Sequence, residues 1–536
     1  VTAFLRGELT EASTTTTRWN TNVFAAYNRL FGLHNLNFSL GFNATYSNIS
    51  YSYSHYRGFP DAHRHSPAYA YEIVTKPTFT DNKTRLFGVF LMLNYSYNDI
   101  YLADFSFRYD GSSEFGTENK WAPFWSVGAG INLHNYEFWN NYLPFISLFK
   151  LKGNVGETGK VNFSPYMAKH TYRVLLEEWY TTGIGAELMY MGNNNLTWEK
   201  QLSWNVGTEI QFLQGRVLVD FEVYNKRTRD LVTDVSMPSS SGFSTYKDNI
   251  WEVENRGFDA DVQWYVMRRS DLDVRVFGNI AHNKNKILKI SESLKRYNER
   301  VNEHFDKYVY VSHSIGSILT SEYEKNASLG TPVMKYEEGA SLTAIYGVRS
   351  LGIDPSNGKE LYLYRNGQAS HKWKATEEIV LGDSEPEASG SFGLNVTYKN
   401  FSLFASFGYE WGKQTYNETL IMNVENADIQ GSNVDKRVLT QRWEKPGDIA
   451  PLKDIKDMNS VTLPTSRFVQ DENVLSLDAL TLSYDFDPLW LRKIYLNTLR
   501  LEVSTSELFR LSSIKQERGT SYPFARTVNF SLRATF

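Results

Sequence analysis

The feature that most constrains this chain is a period of two. In its last ten residues Val528, Phe530, Leu532, Ala534 and Phe536 are apolar or small, and Thr527, Asn529, Ser531, Arg533 and Thr535 are polar. An extended strand sends successive side chains to opposite faces, so this segment reads as a strand with one apolar and one polar face. The alternation recurs over residues 36–46, 101–109, 125–133, 202–212, 258–266, 392–398 and 401–411. No long stretch carries the 3.6-residue period of a helix.

Two architectures use many such strands. A soluble sandwich or propeller turns the apolar face inward, whereas a membrane barrel turns it toward lipid and lines its lumen with polar residues. Three features favour the barrel. The alternating segments reach about ten residues, against about five or six in ordinary soluble strands and about 9–11 for a tilted membrane crossing. Aromatic residues (Tyr46, Tyr95, Tyr97, Tyr101, Tyr109, Trp125, Tyr398, Trp411) stand where interfacial girdles belong, at the expected strand ends. The connections also alternate in length. Tight turns at 32–35, Asn98-Asp99, Gln214-Gly215, 268–271 and Lys399-Asn400 suit hairpins that need positive φ. Between them lie polar stretches at 47–83, 111–123, 157–196, 226–255, 285–387, 413–473 and 509–526. Short turns on one side and long loops on the other describe a bacterial outer-membrane barrel. Counting from Trp19 gives about 15 strands, the last running to the short-turn side, so the C-terminus is expected in the periplasm. Asp354-Pro355-Ser356-Asn357-Gly358, inside the longest loop, is a good turn and predicts a hairpin of its own.

Composition agrees. Mean hydropathy is −0.43, and the longest apolar run, residues 86–93, is far short of the roughly 20 residues of a membrane helix. Yet Phe, Trp and Tyr make up 15% of the 536 residues, which girdles explain. The net charge of −4 excludes nucleic-acid binding by bulk charge. Zero cysteines exclude disulfides, thiolate zinc sites and a cysteine nucleophile. The sequence opens on Val1 without a basic or apolar leader. A closed barrel tolerates no free edge in lipid, so an odd strand count implies missing staves. Residues 1–536 are therefore expected to be the C-terminal majority of a larger transmembrane β-barrel, or one part of a split one.

Several segments carry a resemblance. Residues 109–116 (Tyr-Asp-Gly-Ser-Ser-Glu-Phe-Gly) with Asn119-Lys120-Trp121, residues 151–159, and Tyr224–Thr228 with Asp230-Leu231 resemble blocks of the SusC/RagA class of TonB-dependent outer-membrane transporters. So do residues 242–257, 349–354, Gly382-Asp383 with Pro386, 442–448, 467–471, 480–484, and the tail from Tyr522-Pro523 to Phe536. That resemblance implies a 22-stranded barrel plugged by an N-terminal domain in Bacteroidetes-type outer membranes. It implies a SusD-like surface lipoprotein as lid, TonB-driven uptake of oligosaccharides or peptides, and dimers of such pairs. With about 15–16 strands here, the plug, the TonB box and the first strands are expected to lie outside this chain.

Substrate contacts in such a protein would be aromatic platforms and amides in wet loops: Tyr51, Tyr53, Tyr56, Trp179, Tyr180, Tyr190, Asn193, Asn194 and Asn195, which serve equally well as loop packing. His55, Asp61, His63 and His65 cluster in the first loop, but lack metal-ligand spacing. Asp354–Gly358 with Glu360 lacks the twelve-residue spacing of a calcium loop and reads as a turn. No cofactor is implied. No Gly-x-Ser-x-Gly, Walker or His-Glu-x-x-His pattern occurs. A barrel hydrolase would need a lumen-side Ser–His pair, and His134 and Ser126 are too far apart along one strand. The alternatives to an importer are therefore a non-transporting surface or adhesion barrel and, more remotely, that hydrolase.

Overall fold

Residues 6–60, 63, 66–116, 119–181, 183–236, 245–292, 294–296, 298–299, 302, 335–429, 431, 433–457, 462–515 and 526–536 are described by a computed structural model. In chain order the strands are β1 (Glu8–Phe31), β2 (His34–Arg57), β3 (Glu72–Tyr97), β4 (Tyr101–Ser112), β5 (Trp121–Asn132), β6 (Ile146–Lys160), β7 (Thr171–Tyr180), β8 (Gly183–Tyr190), β9 (Glu199–Phe212), β10 (Val217–Ser236), β11 (Thr245–Arg268) and β12 (Leu272–Lys289). They continue as β13 (Ala344–Gly347), β14 (Arg349–Ile353), β15 (Glu360–Leu363), β16 (Ala369–Ser370), β17 (Ile379–Asp383), β18 (Ala388–Tyr398), β19 (Phe401–Tyr416), β20 (Val469–Asp485), β21 (Thr498–Ser506), β22 (Arg510–Ser512) and β23 (Thr527–Thr535). Among the described residues, 16 of these form one large sheet in the order β1-β2-β3-β4-β5-β6-β9-β10-β11-β12-β18-β19-β20-β21-β23, with β22 pairing β20. The chain divides into two compact units, residues 1–130, 154–202 and 228–251, and residues 131–153, 203–227 and 252–536.

In the first unit, β1 and β2 pair without a register shift from Glu8↔Arg57 to Phe31↔His34. β2 and β3 pair from His34↔Tyr97 to Arg57↔Glu72. The stretch 47–83, expected as a loop, is therefore mostly strand, and its connection shrinks to residues 58–71. Likewise β10 and β11 run well into the expected loop 226–255. The reason is that ladder hydrogen bonds belong to the backbone. Ser, Thr and Tyr in residues 13–17 and 47–56 suit a strand without continuing the apolar face of residues 36–46. At the short-turn side Tyr97, Tyr101 and Tyr398 stand at strand ends as expected, whereas on the long-loop side the aromatics mark the end of the apolar band rather than the end of the strand. Tyr46 lies in mid-β2, and Trp125 lies in mid-β5.

The faces are sorted as a lipid-facing wall requires. Leu40, Phe42, Val89, Phe105, Phe107, Trp125 and Val127 are exposed. On the opposite face, Arg108 donates to Asn43 Oδ1 at 3.1 Å and to Asp110 Oδ1 at 3.0 Å. Ser106 and Ser126 hydroxyls meet at 2.7 Å. An exposed apolar surface this regular would be a liability in water and is what a hydrocarbon band demands. At the tight turn Asn98-Asp99, both residues have positive φ, 52° and 53°, the two left-handed positions of a type I′ hairpin.

In the second unit, β12 pairs β18 across a connection running through residues 290–387. β18 pairs β19 from Tyr398↔Phe401, and Lys399 takes φ 50° in their two-residue turn. β20, β21 and β23 follow, each antiparallel to its predecessor. The last strand therefore ends on the same side as the 399–400 turn. The expected hairpin around Asp354–Gly358 is present as β14 and β15. His134 does not lie on a strand but in the connection after β5, with Nδ1 3.3 Å from the Phe149 carbonyl, so it holds a turn.

Candidate functional site

The long connections of the second unit, 290–387 and 417–468, fold onto each other. Their construction begins locally. Asp354 opens a turn in which its carboxylate accepts from Ser356 N at 2.8 Å, Ser356 Oγ at 2.7 Å and Asn357 Nδ2 at 3.1 Å. Those bonds, the Ser356 amide first, hold the Asp354 carboxyl below its ordinary pKa. Glycine is required at 358 for two reasons: φ is +72°, and a Cβ would lie 2.4 Å from the Trp443 ring. Trp443 packs there and donates its indole N–H to the Pro355 carbonyl at 2.9 Å. Gly447 N donates to the same oxygen at 2.8 Å. Thus the 442–448 block clasps the β14–β15 turn.

A second clasp lies beside it. Val348 N donates to Pro464 O at 3.0 Å, and Ser466 N returns to Val348 O at 3.1 Å. Trp373 Nε1 donates to Pro464 O at 3.0 Å. Val348, Tyr362, Tyr364, Trp373 and Ala375 form a small buried core under this junction.

Arg467 closes the assembly. It donates to Glu360 Oε2 at 3.0 Å, to Glu425 Oε1 at 2.6 Å and to the Pro451 carbonyl at 2.8 Å. The side chains are 11%, 7% and 0% exposed for Arg467, Glu360 and Glu425. Glu360 also accepts from Thr465 Oγ1 at 2.8 Å. Glu425 ends a π-helical turn, Ile421–Glu425, whose carbonyls at Val424 and Glu425 accept from Arg442 Nη2 at 2.6 and 2.5 Å. Burial lowers the pKa of Arg442 and of Lys453 and raises that of the Tyr362 hydroxyl, with Glu360 adding to that effect. This is an ion network that leaves little for a ligand and fixes the shape of a platform.

Beside the platform, a recess of about 540 Å³ is lined by Asp383, Glu385, Glu387, Asp471, Asn283 and Trp411, among others. Gln414 ties its walls, accepting from Asp383 N at 3.1 Å and donating to Asp471 Oδ1 at 3.0 Å. Four carboxylates and an exposed indole can bind polyhydroxy or cationic groups. Residues 349–354, 382–386, 442–448 and 467–471, far apart in sequence, meet in this platform and recess.

The loop residues singled out from sequence fare differently. Tyr51, Tyr53 and Tyr56 lie on β2; Tyr51 is exposed, and so is Trp179 at the end of β7. Tyr180 ends β7 and Tyr190 ends β8. Asn193 is spent on structure, donating to Lys247 O at 2.9 Å and accepting from Asn195 N at 3.0 Å. Asn194 presses its backbone against Gly116. His55 pairs with Glu8 at 3.4 Å, and Asp61 and His65 lie outside the described residues. No group of three or more His, Asp or Glu suited to a metal occurs among the described residues. Phe115, from the 109–116 block, is fully buried against Trp198 and Phe163, with ring centroids at 4.8 and 5.1 Å. Of the resemblance segments, residues 242–244 and 522–525 lie outside the described residues. The Arg467 network and the recess had no local signal, because Glu360 and Glu425 lie 107 and 42 residues from Arg467 and the recess is assembled from separate segments around 283, 385, 411 and 471.

Comparison with known proteins agrees with this architecture. The family model described as TonB dependent receptor-like, beta-barrel matches residues 2–427. The TonB-dependent receptor P3 of Formosa agariphila is 27% identical over 517 residues, covering 94% of this chain and 49% of that protein. The TonB-dependent receptor SusC of Bacteroides thetaiotaomicron is 25% identical over 435 residues, covering 77% of this chain and 39% of that protein. A solved structure of the RagAB peptide transporter superposes with a TM-score of 0.80 at 20% identity, covering 99% of this chain and 56% of that one. The chain thus spans about half the length or less of the curated relatives it matches. The resemblance to the SusC/RagA class is borne out, and the chain belongs to the TonB dependent receptor-like beta-barrel family of the outer membrane.

Proposed function

We propose that this chain forms the barrel wall and mouth of an outer-membrane importer of the SusC-like class. It takes up oligosaccharides or oligopeptides with energy from TonB, under a SusD-like lipoprotein lid. One observation carries the reading: two long connections on the side opposite the 399–400 turn are locked by Arg467, Glu360 and Glu425 into a rigid platform. A loop region that only adhered to surfaces would not require two buried acids on one arginine. A platform for a partner that opens and closes requires rigidity on one side of the joint. The acidic recess with Trp411 is the site we assign to substrate or lid contact. The peptide transporter named among the similar structures supports an oligopeptide substrate, and the oligosaccharide alternative rests on what the SusC/RagA resemblance implies. The C-terminus, on the short-turn side, is assigned to the periplasm, and residues 1–536 to the C-terminal part of the transporter.

The test is affinity purification of the tagged protein from outer membranes in mild detergent, followed by uptake assays in a deletion strain. A co-purifying surface lipoprotein and TonB-dependent uptake of a labelled oligosaccharide or peptide pool are expected. Surface adhesion without uptake would replace the importer by an adhesion barrel.

A further inference from the structure

The apolar side of β2 changes above Tyr46. Below it, Leu40 and Phe42 are exposed on the outer face, and Asn43, which meets Arg108, lies on the inner one. Above it, Ile49, Tyr51 and Tyr53 keep the parity of Asn43, while Ser50, Ser52 and Ser54 keep that of Leu40 and Phe42. β1 and β2 pair without a register shift, and β2 and β3 do so from Ser47 up to Tyr53. Ile49, Tyr51 and Tyr53 therefore stand on the lumen side of the wall.

Their height follows from strand geometry. At the short-turn end, His34 lies among Phe31, Tyr95 and Tyr97, a lower aromatic girdle. From His34 to Tyr46 along β2, at about 3.3 Å per residue, is about 40 Å, or about 28 Å vertically at a tilt near 45°. The apolar band of an outer-membrane barrel is about 25 Å tall. Tyr46 therefore stands at the upper interface, and Tyr51 and Tyr53 rise about 12 and about 16 Å above it by the same arithmetic. Neither ring serves the lipid, and neither belongs to the buried core of this unit.

Register frames the two rings. Tyr51 sits between Thr14 and Thr80, and Tyr53 between Ala12 and Thr78. From the row of Ile49, flanked by Thr16 and Asn82, up to the row of Tyr53, this face carries no charged residue. The outer face at the same height bonds to itself. Ser50 Oγ donates to Asp81 Oδ1 at 2.9 Å, Asn48 Nδ2 donates to Ser50 Oγ at 3.3 Å, and Lys83 Nζ lies 2.6 Å from Asp81 Oδ2. On the lumen side the hydroxyls of Tyr51, Tyr53, Thr14, Thr78 and Thr80 have no hydrogen-bond partner among the described residues, and the two rings touch no other ring there. Tyr51 is exposed. β2 is flanked by β1 and β3, so its backbone is paired on both sides and a peptide cannot add to it as a further strand. Recognition is left to side chains: two aromatic rings about 6.6 Å apart along the strand, framed by hydroxyls and free of charge. A sugar ring offers a C–H face to an aromatic ring and hydroxyls that both donate and accept.

We propose that this stripe is a binding site for a neutral oligosaccharide lying along β2. Successive sugar rings stack on Tyr51 and Tyr53, and their hydroxyls exchange hydrogen bonds with Thr14, Thr78 and Thr80. An acidic sugar or a charged peptide terminus finds no counter-charge here. The site's role in uptake rests on the importer reading; saccharide binding itself does not.

The test is calorimetric titration of the purified full-length protein in mild detergent. The probes are neutral hexasaccharides of glucose, mannose, galactose and xylose, the galacturonate hexamer, and a Gly-Ser peptide of equal length. Saturable binding of at least one neutral series is expected, with none of the galacturonate. Tyr51→Ala/Tyr53→Ala is expected to weaken that binding about tenfold or more, the loss usual for aromatic anchors. Tyr51→Phe/Tyr53→Phe keeps both rings and is expected to bind within a few-fold of the parent, and it carries the comparison if the alanine variant does not assemble. Ser52→Ala/Ser54→Ala, on the outer face, is expected to change nothing. No binding of any neutral hexasaccharide, or equal affinity in parent and alanine variant, overturns the site. An alanine variant that unfolds earlier but binds unchanged marks the rings as packing for another segment and also overturns it. Peptide binding lost in the alanine variant, without saccharide binding, replaces the glycan by a peptide. Uptake assays separate the two readings: saccharide binding without TonB-dependent uptake removes the importer and keeps the site, and peptide uptake without saccharide binding does the reverse.

Discussion

Replacing Arg467 by Met removes one cation from between two buried carboxylates, Glu360 at 7% and Glu425 at 0% exposure. Breaking a buried pair from one side costs about 3–5 kcal/mol, because the remaining charge is left desolvated. Two acids share this arginine, so the upper half of that range is expected. The loss falls on the platform, since the strand ladders below do not use Arg467. Local opening should therefore become about 1,000-fold or more populated, at 1.4 kcal/mol per factor of ten. Hydrogen exchange with mass spectrometry on the purified protein reads this directly. The Val348 amide, bonded to Pro464 O, and the Ser466 amide, bonded to Val348 O, should lose protection by that factor, while β18 and β19 amides keep theirs. Adding Glu360→Gln and Glu425→Gln to the variant should recover much of the loss, since the stranded charges are gone. The exposed pair Arg173–Glu187, at 61% and 55% exposure, serves as control: Arg173→Met should change nothing measurable. Platform protection within threefold of the parent in the Arg467 variant would refute the claim that this network holds the loops.

Register is tested by Leu40→Arg, on the exposed apolar face, against Ser39→Arg on the opposite face; the first should lower folding stability in lipid by about 2–4 kcal/mol and the second only mildly, and equal losses would mean the faces are misassigned. Burial raises the Glu114 carboxyl above its ordinary 4.5, with Ser112 opposing. Its stabilising contribution is complete below that ordinary value and lost as pH rises through the raised one, so Glu114→Gln should protect the 113–120 loop from protease at pH 7 and make no difference at pH 4. Trp443→Phe strands one lone pair of the Pro355 carbonyl, at a cost of about 1–3 kcal/mol, and should quicken cleavage near residue 447 without altering assembly.

The wall of this protein was largely legible in its sequence, because each strand carries its own evidence. Alternation at 36–46 names both faces without knowledge of neighbours, and Asn98-Asp99 or Lys399-Asn400 names the turn. The Asp354 turn was equally visible, since its bonds run to residues two and three positions away. The strand ends were missed because the apolar parity switches at Ser47: Ile49, Tyr51 and Tyr53 alternate with Ser50, Ser52 and Ser54 on the opposite face from Leu40, Phe42 and Tyr46, so the one-face pattern stops while the backbone pairing continues. The platform was invisible for a different reason. Arg467 meets Glu360 and Glu425 by virtue of loop closure over dozens of residues, and an arginine in a polar loop looks the same before and after it finds its acids. The resemblance blocks pointed to those residues without saying that they meet.

The overshoot of β2 past Tyr46 has a consequence for anything that works at the mouth. Eleven further residues of β2, to Arg57, rise about 36 Å along the strand at 3.3 Å per residue, or about 25 Å vertically at the same tilt. The rim here is therefore a parapet standing well clear of the lipid surface. A partner seated on such a rim while its acyl anchor stays in the leaflet needs a leash of at least about eight extended residues between the lipidated cysteine and its first folded element. A shorter leash would hold the lid off its seat however well the two surfaces matched.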